Sequence, residues 1–194
     1  FDDILDVVQE EATEDFERMA GIQPLQDDYL DTSITFAVGK RLPWLLVCIV
    51  TQFISSFILK RYTFALESVV ALAYFIPMLI DTGGNTGTQA STLVIRGLTV
   101  GTVQTKNLLR VLGREAAAGL MIGVVLAAFG ALRAWFMGTG VGVVFVVGVS
   151  VTAVVVTGSV IGALLPFIAE KMKIDPAVMS GPFITTVVDV LGLL

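Results

Sequence analysis

Apolar residues recur at helical spacing through residues 2–20. Ile4, Leu5, Val8, Ala12, Phe16 and Met19 share one side of the wheel, and the carboxylates fall elsewhere. The spacing predicts an amphipathic helix stopped by Gly21 and Pro24. Residues 23–33 follow as a polar linker with Asp27, Asp28 and Asp31, a run that reads first as a solvated stretch. From residue 34 the pattern turns continuously apolar. A membrane-spanning helix needs roughly 20 largely apolar residues. Residues 42–59 are charge-free between Lys40-Arg41 and Lys60-Arg61. Residues 68–95 hold only Asp81, and Arg96 ends them. Residues 116–132 lie between Glu115 and Arg133, residues 141–169 form the longest charge-free run, and residues 177–194 carry only Asp189. These runs predict five spans, the second long and interrupted. Pro77 is expected to kink that second span or to loosen its hydrogen bonding.

Composition agrees with the pattern. Of the 194 residues, 55% are hydrophobic and 15% charged, against about 25% charged in soluble domains. The sequence therefore predicts an all-α integral membrane protein. Its charges are unmixed. Residues 1–33 hold eleven of the seventeen acidic residues and one basic residue, Arg18, whereas residues 34–194 hold eleven basic and six acidic. This divides the chain into an acidic helix and linker, 1–33, and a five-span unit, 34–194. With the N-terminus inside, Lys40, Arg41, Arg96, Lys106, Arg110, Arg114, Lys171 and Lys173 flank the cytoplasmic ends, and Lys60, Arg61 and Arg133 the outer ends. Eight against three supports a cytoplasmic N-terminus. The first residue is Phe1, the last lies inside an apolar run, and the chain reads as a piece of a longer protein; its acidic start is no secretory signal.

Two counts narrow the chemistry. There is no histidine, which removes imidazole bases, serine–histidine triads and histidine metal ligands. Cys48 is the single cysteine, so the chain has no internal disulfide and no thiolate zinc site. Metal chemistry would use oxygen ligands, which favours hard cations such as magnesium or calcium. The run from Gly83 to Gly87 lacks the lysine of a phosphate-binding loop, and no basic–aromatic patch suggests nucleic acid. No nucleophile–base pair is visible, so an enzyme is not expected.

A charge at membrane depth is costly and is a functional hypothesis by default. Asp189 sits twelve residues into the last predicted span, and Thr185 and Gly181 share its helical face. That face offers a carboxylate, a hydroxyl and a bare backbone carbonyl. Pro182 lacks an N–H and should loosen the turn before it. A second feature lies between Pro77 and Arg96. Asp81, Asn85, Gln89, Thr92 and Arg96 follow at steps of four, four, three and four, one polar stripe on one face. The stripe could line a hydrated path or join helices by hydrogen bonds, and it can do both. Glu67 is a weaker candidate near the outer end of span two, and Glu115 reads as interfacial. Thr51, Gln52, Ser55 and Ser56 give span one a polar patch, while Thr152, Thr157 and Ser159 can bond to their own helix. Gly119/Gly123 and Gly158/Gly162, at four-residue spacing, read as close-packing positions.

The run from Pro77 through Gly83-Gly84-Asn85-Thr86-Gly87-Thr88-Gln89 to Arg96 resembles the signature of the MgtE family of magnesium channels. The last span from Pro182 to Asp189, Leu165-Pro166-Phe167 and Asp175-Pro176-Ala177 are similar to that family too, and the resemblance covers nearly the whole chain. It implies a homodimer with five spans per subunit, a pore on the dimer axis and residence in the bacterial inner membrane. It implies that Asp189 of each subunit selects the cation, with Thr185 and Gly181 facing the pore one and two turns earlier. The family pattern has Asn at the Gly181 position, and the glycine leaves only a backbone carbonyl there. The acidic N-terminal segment resembles the family's plug helix, in which carboxylates shared with cytosolic CBS domains hold regulatory magnesium. Glu11, Glu14 and Asp15 match those carboxylates, and the CBS partners lie outside this sequence. The implied ligand is therefore Mg²⁺, as transported ion and as regulator. Two further readings stay open: a proton- or sodium-coupled divalent cation transporter using Asp189 or Asp81, and a membrane anchor or sensor without flux.

Overall fold

A computed structural model of the chain describes residues 2–25, 30–63, 69–179 and 181–192. Asp27, Asp28 and Glu67 lie outside the described residues. All described secondary structure is helical: α1 (Asp2–Met19), α2 (Ile34–Arg61), α3 (Ile76–Thr99), α4 (Leu108–Phe136), α5 (Val141–Lys171) and α6 (Gly181–Gly192). Short 3₁₀ helices at Val70–Phe75, Thr105–Asn107 and Pro176–Met179 precede α3, α4 and α6.

The amphipathic segment at the start is one helix, α1, closed by Gly21 in the left-handed region at φ 73°. Such a conformation after the last turn favours glycine. α2 starts eight residues before the first charge-free run, because Ser33 caps it by accepting from the Phe36 N–H at 3.4 Å. Lys60 and Arg61 close it, where basic charge complements the helix dipole.

The second predicted span differs from expectation. It is not one kinked helix but the 3₁₀ helix Val70–Phe75 followed by α3, and Pro77 stands in the first turn of α3. A proline there lacks only an N–H that would have no partner within the helix. Pro182 sits at the second described residue of α6.

Among the described residues, three helical stretches have the length and apolarity to cross a membrane: α2, α4 with its preceding turn, and α5. α3 carries the polar stripe and α6 is described over 12 residues; these two occupy the places of the second and fifth predicted spans. α4 and α5 lie side by side, with Gly119 against Ser159 and Val156, and Gly123 against Thr152. α5 also packs along α3. Phe75, Ala134, Val143, Val147, Val151 and Val155 fill one end of this three-helix bundle, and Ala90, Val94, Ala163 and Phe167 the other. α6 lies against α3, and α2 packs chiefly against α6.

Candidate functional site

The glycine run of α3 is a contact plate. A Cβ on Gly158 of α5 would lie 2.6 Å from the Gly83 carbonyl oxygen, and one on Gly162 would collide with the carbonyl of Gly87. Two turns of backbone therefore touch directly, which only residues without a side chain permit. On its α6 side, Gly84 faces Thr185 and Gly87 faces Ile184. Ser91, fully buried, donates to the Met179 carbonyl at 3.1 Å just before α6. The same run thus positions both α5 and α6.

The other side of α3 carries the stripe. Asp81, Asn85, Gln89, Thr92 and Arg96 are all exposed on the protomer. Thr92 bonds back to the Thr88 carbonyl at 2.9 Å. Among the described residues, Asp81, Asn85, Gln89 and Arg96 make no hydrogen bond or ion pair within the protomer. Hydrocarbon cannot satisfy such groups, so at membrane depth they need water or another chain.

α6 runs antiparallel to α3. Gly181 lies near Thr88 and Thr185 near Gly84, four residues on each helix. Continuing this register by one turn brings Asp189 to the level of Ile80 and Asp81. Thr185 is partly buried, and its hydroxyl donates to the Pro182 carbonyl at 3.0 Å. That hydroxyl therefore offers lone pairs, not a proton, to a ligand. Thr186 also donates to the Pro182 carbonyl, at 2.7 Å, and approaches the Cys48 Sγ of α2 at 3.7 Å. Asp189 is half-buried and accepts from the Gln52 amide of α2 at 3.4 Å. Among the described residues, no lysine or arginine pairs with Asp189. One-turn steps along α6 thus place Asp189, Thr185 and Gly181 in a row beside the seam with α3.

The far end of that row meets the N-terminal helix. A Cβ on Gly181 would stand 3.3 Å from the Met19 carbonyl at the end of α1. Arg18 donates to Asp175 Oδ2 at 2.7 Å, tying α1 to the connection before α6. Its other terminal nitrogen pairs with Glu14 at 2.6 Å. Partial burial alone would lower the Arg18 pKa. The Asp175 hydrogen bond and the charges of Glu14, Asp175 and Asp15 outweigh it and hold the value above that of a free arginine. The indole of Trp44 on α2 packs between Gly21 and Phe183, with ring centroids of Trp44 and Phe183 6.0 Å apart.

Of the N-terminal carboxylates, Glu11 is exposed, Asp15 is half-buried and Glu14 is engaged by Arg18. Among the described residues, no group of three or more carboxylates and cysteines gathers to hold a metal ion. Any cation on the α6 row would meet one carboxylate per protomer. Such a row can attract a hydrated dication and cannot strip its water shell. The sequence reading gave no role to Trp44 or to the Arg18–Asp175 pair. Arg18 was nevertheless visible as the one basic residue among eleven acids.

Residues 76–194 match a family model described as MgtE, divalent cation transporter. Over 193 residues, all of this chain, the sequence is 39% identical to the magnesium transporter MgtE of Bacillus subtilis, covering 42% of that protein. It is 36% identical over 193 residues to the protein of the same name from Thermus thermophilus, covering 43% of it. The counterpart from Enterococcus faecalis is 31% identical over 195 residues. The chain spans about two-fifths of the length of these relatives.

Proposed function

The chain belongs to the MgtE family of divalent cation transporters, and from that premise we propose that it forms a magnesium-selective pore between two copies of itself. Both of its polar features fit that role. The stripe Asp81–Asn85–Gln89–Arg96 faces out of the protomer, and the row Asp189–Thr185–Gly181 runs beside it. Pairing two copies about a two-fold axis would bring both features to a shared hydrated path and remove them from lipid. The five helical segments α2 to α6 then act as the five spans, with α1 on the cytoplasmic side of the bacterial inner membrane. In a longer chain, cytosolic CBS domains would supply partners for Glu11, Glu14 and Asp15.

The observation that carries this reading is Asp189, a half-buried carboxylate in an apolar helix without a cationic partner among the described residues. Two such carboxylates across the axis offer a dication compensating charge. Mg²⁺ gives up its water reluctantly, so it passes as a hydrated ion held through water-mediated hydrogen bonds. An inside-negative potential of 100 mV supplies roughly 4.6 kcal/mol per dication, twice the single-charge value. Binding that is weak enough for release completes the passage.

The test is Mg²⁺ uptake into proteoliposomes under an imposed potential. The Asp189→Asn variant is expected to lose uptake while remaining folded and dimeric. Full uptake by that variant sinks the proposal, and proton movement coupled to Mg²⁺ flux replaces it with a coupled transporter.

A further inference from the structure

Resting on that reading of Asp189, we infer that Gln52 of α2 is a positioning residue for the Asp189 carboxylate and sets how tightly and selectively the row takes a divalent cation. Cys48, Gln52 and Ser55 fall at steps of four and three, one line on α2, and the line faces α6. Cys48 meets Thr186, and Gln52 meets Asp189. Ser55 is 5% exposed, and its hydroxyl has no hydrogen-bond partner among the described residues. The other hydroxyls of this patch turn back on their own helix: Thr51 donates to the Val47 carbonyl at 2.8 Å and Ser56 to the Gln52 carbonyl at 2.9 Å. Gln52 is thus the group of α2 that reaches the α6 carboxylate.

The chemistry of the donor matters. A lysine or arginine here would neutralise Asp189 and compete with the cation. A carboxamide is neutral. It orients one carboxylate oxygen and leaves the full charge and the other oxygen for the ion's water shell. The separation of 3.4 Å is long for an N–H···O bond, so the amide steers the carboxylate without saturating it. Recognition of a hydrated ion depends on where the acceptors stand, because the bound waters have a fixed octahedral arrangement. A group that fixes the Asp189 rotamer therefore acts on affinity and on discrimination between ions, as partners behind a metal ligand commonly do.

The experiment measures Mg²⁺ and Ca²⁺ flux against ion concentration in proteoliposomes for wild type, Gln52→Met, Gln52→Glu, Thr51→Ala and Asp189→Asn. Gln52→Met keeps the side-chain length and removes the amide. Its half-saturating Mg²⁺ concentration is expected to rise about threefold to tenfold, the loss of one ordinary hydrogen bond, as befits a contact of 3.4 Å. Its maximal flux stays near wild type, and its preference for Mg²⁺ over Ca²⁺ falls. Gln52→Glu puts a second carboxylate at the position and is expected to shift half-saturation the opposite way, with slower release. Thr51→Ala is expected to match wild type. Unchanged half-saturation in Gln52→Met, with transport lost in Asp189→Asn, overturns the role of Gln52 and leaves the pore reading intact. Lower maximal flux at unchanged half-saturation means that Gln52 is merely structural, and overturns it equally. Should Gln52→Met fail to fold, the direction of the Gln52→Glu shift decides. Normal transport by Asp189→Asn rejects the pore reading, whatever Gln52 does.

Discussion

Arg18 and Asp175, 157 residues apart in sequence, are joined by a 2.7 Å ion pair that fastens α1 to the connection before α6. Both side chains are about one-third exposed, and solvent weakens the pair accordingly. We expect Arg18→Ala to loosen α1 by about 1 kcal/mol, the order found for partly exposed charged pairs. Faster hydrogen exchange or proteolysis within α1 would report it. The reversal Arg18→Asp with Asp175→Arg should restore most of the protection, and a failure to do so would assign the effect to Glu14. With its pKa raised, the guanidinium stays charged across the working range, and on the alkaline side its contribution is lost only as pH rises through a folded value above that of a free arginine.

The backbone contact between α3 and α5 should tolerate no added carbon. Gly162→Ala pushes a methyl group into the Gly87 carbonyl, and Gly158→Ala into that of Gly83. Each is expected to cost about 3 kcal/mol, the upper range for overpacking a filled interface. Thermal unfolding in detergent measures the loss. Gly148→Ala, which has open space around the new carbon, should leave the melting temperature unchanged.

Cys48 is the single native cysteine, so a Cys48→Ser background suits thiol labelling. Cysteines introduced at Asn85 and Gln89 are expected to react with a membrane-impermeant, water-soluble thiol reagent, and one at buried Ala90 to stay inert. Mg²⁺ should protect the first two. Inert cysteines at Asn85 and Gln89 would mean that the stripe is sealed against another helix. Neither side chain is hydrogen-bonded among the described residues, so Asn85→Leu should cut flux without lowering the melting temperature.

Gly181→Asn adds a side chain where even a Cβ stands 3.3 Å from the Met19 carbonyl. The end of α1 must then shift by a few tenths of an ångström or more. We expect α1 to become more accessible to protease, with α3 to α5 unchanged by hydrogen exchange. Unchanged protection of α1 would show that the joint has slack.

The helices were legible where hydrophobic periodicity ran unbroken. α1 and α5 match the predicted ranges within two residues. The interruption of the second span was legible but its place was not, because a charge-free run does not record where one helix stops and another starts. Pro77 suits a first turn as well as a kink, and only the path of Val70–Phe75 decides between them. Asp189 stood out because a lone carboxylate in apolar text is rare. Its partner Gln52 did not, since a polar side chain on α2 points at α6 only once both helices are placed. The glycines illustrate the same limit. The spacing of Gly158 and Gly162 pointed to close packing, and the fold shows that their partner is the α3 glycine run, which α5 and α6 both use.

The attachment of α2 bears on the order in which the protein is made. During synthesis α2 enters the bilayer before any of the other apolar helices described here. Its main partner within the protomer, α6, is 138 residues distant at the Cys48–Thr186 contact and is made after α3, α4 and α5. α2 must therefore persist as a solitary helix among lipids, which its long charge-free run permits. α6 is in a different position, because it bears a carboxylate in its apolar run, and a charge there opposes insertion of that helix alone. If α6 crosses the membrane as proposed, its seat between α3 and the waiting α2 makes integration of the carboxylate helix an act of assembly, completed only when the earlier helices are already in place.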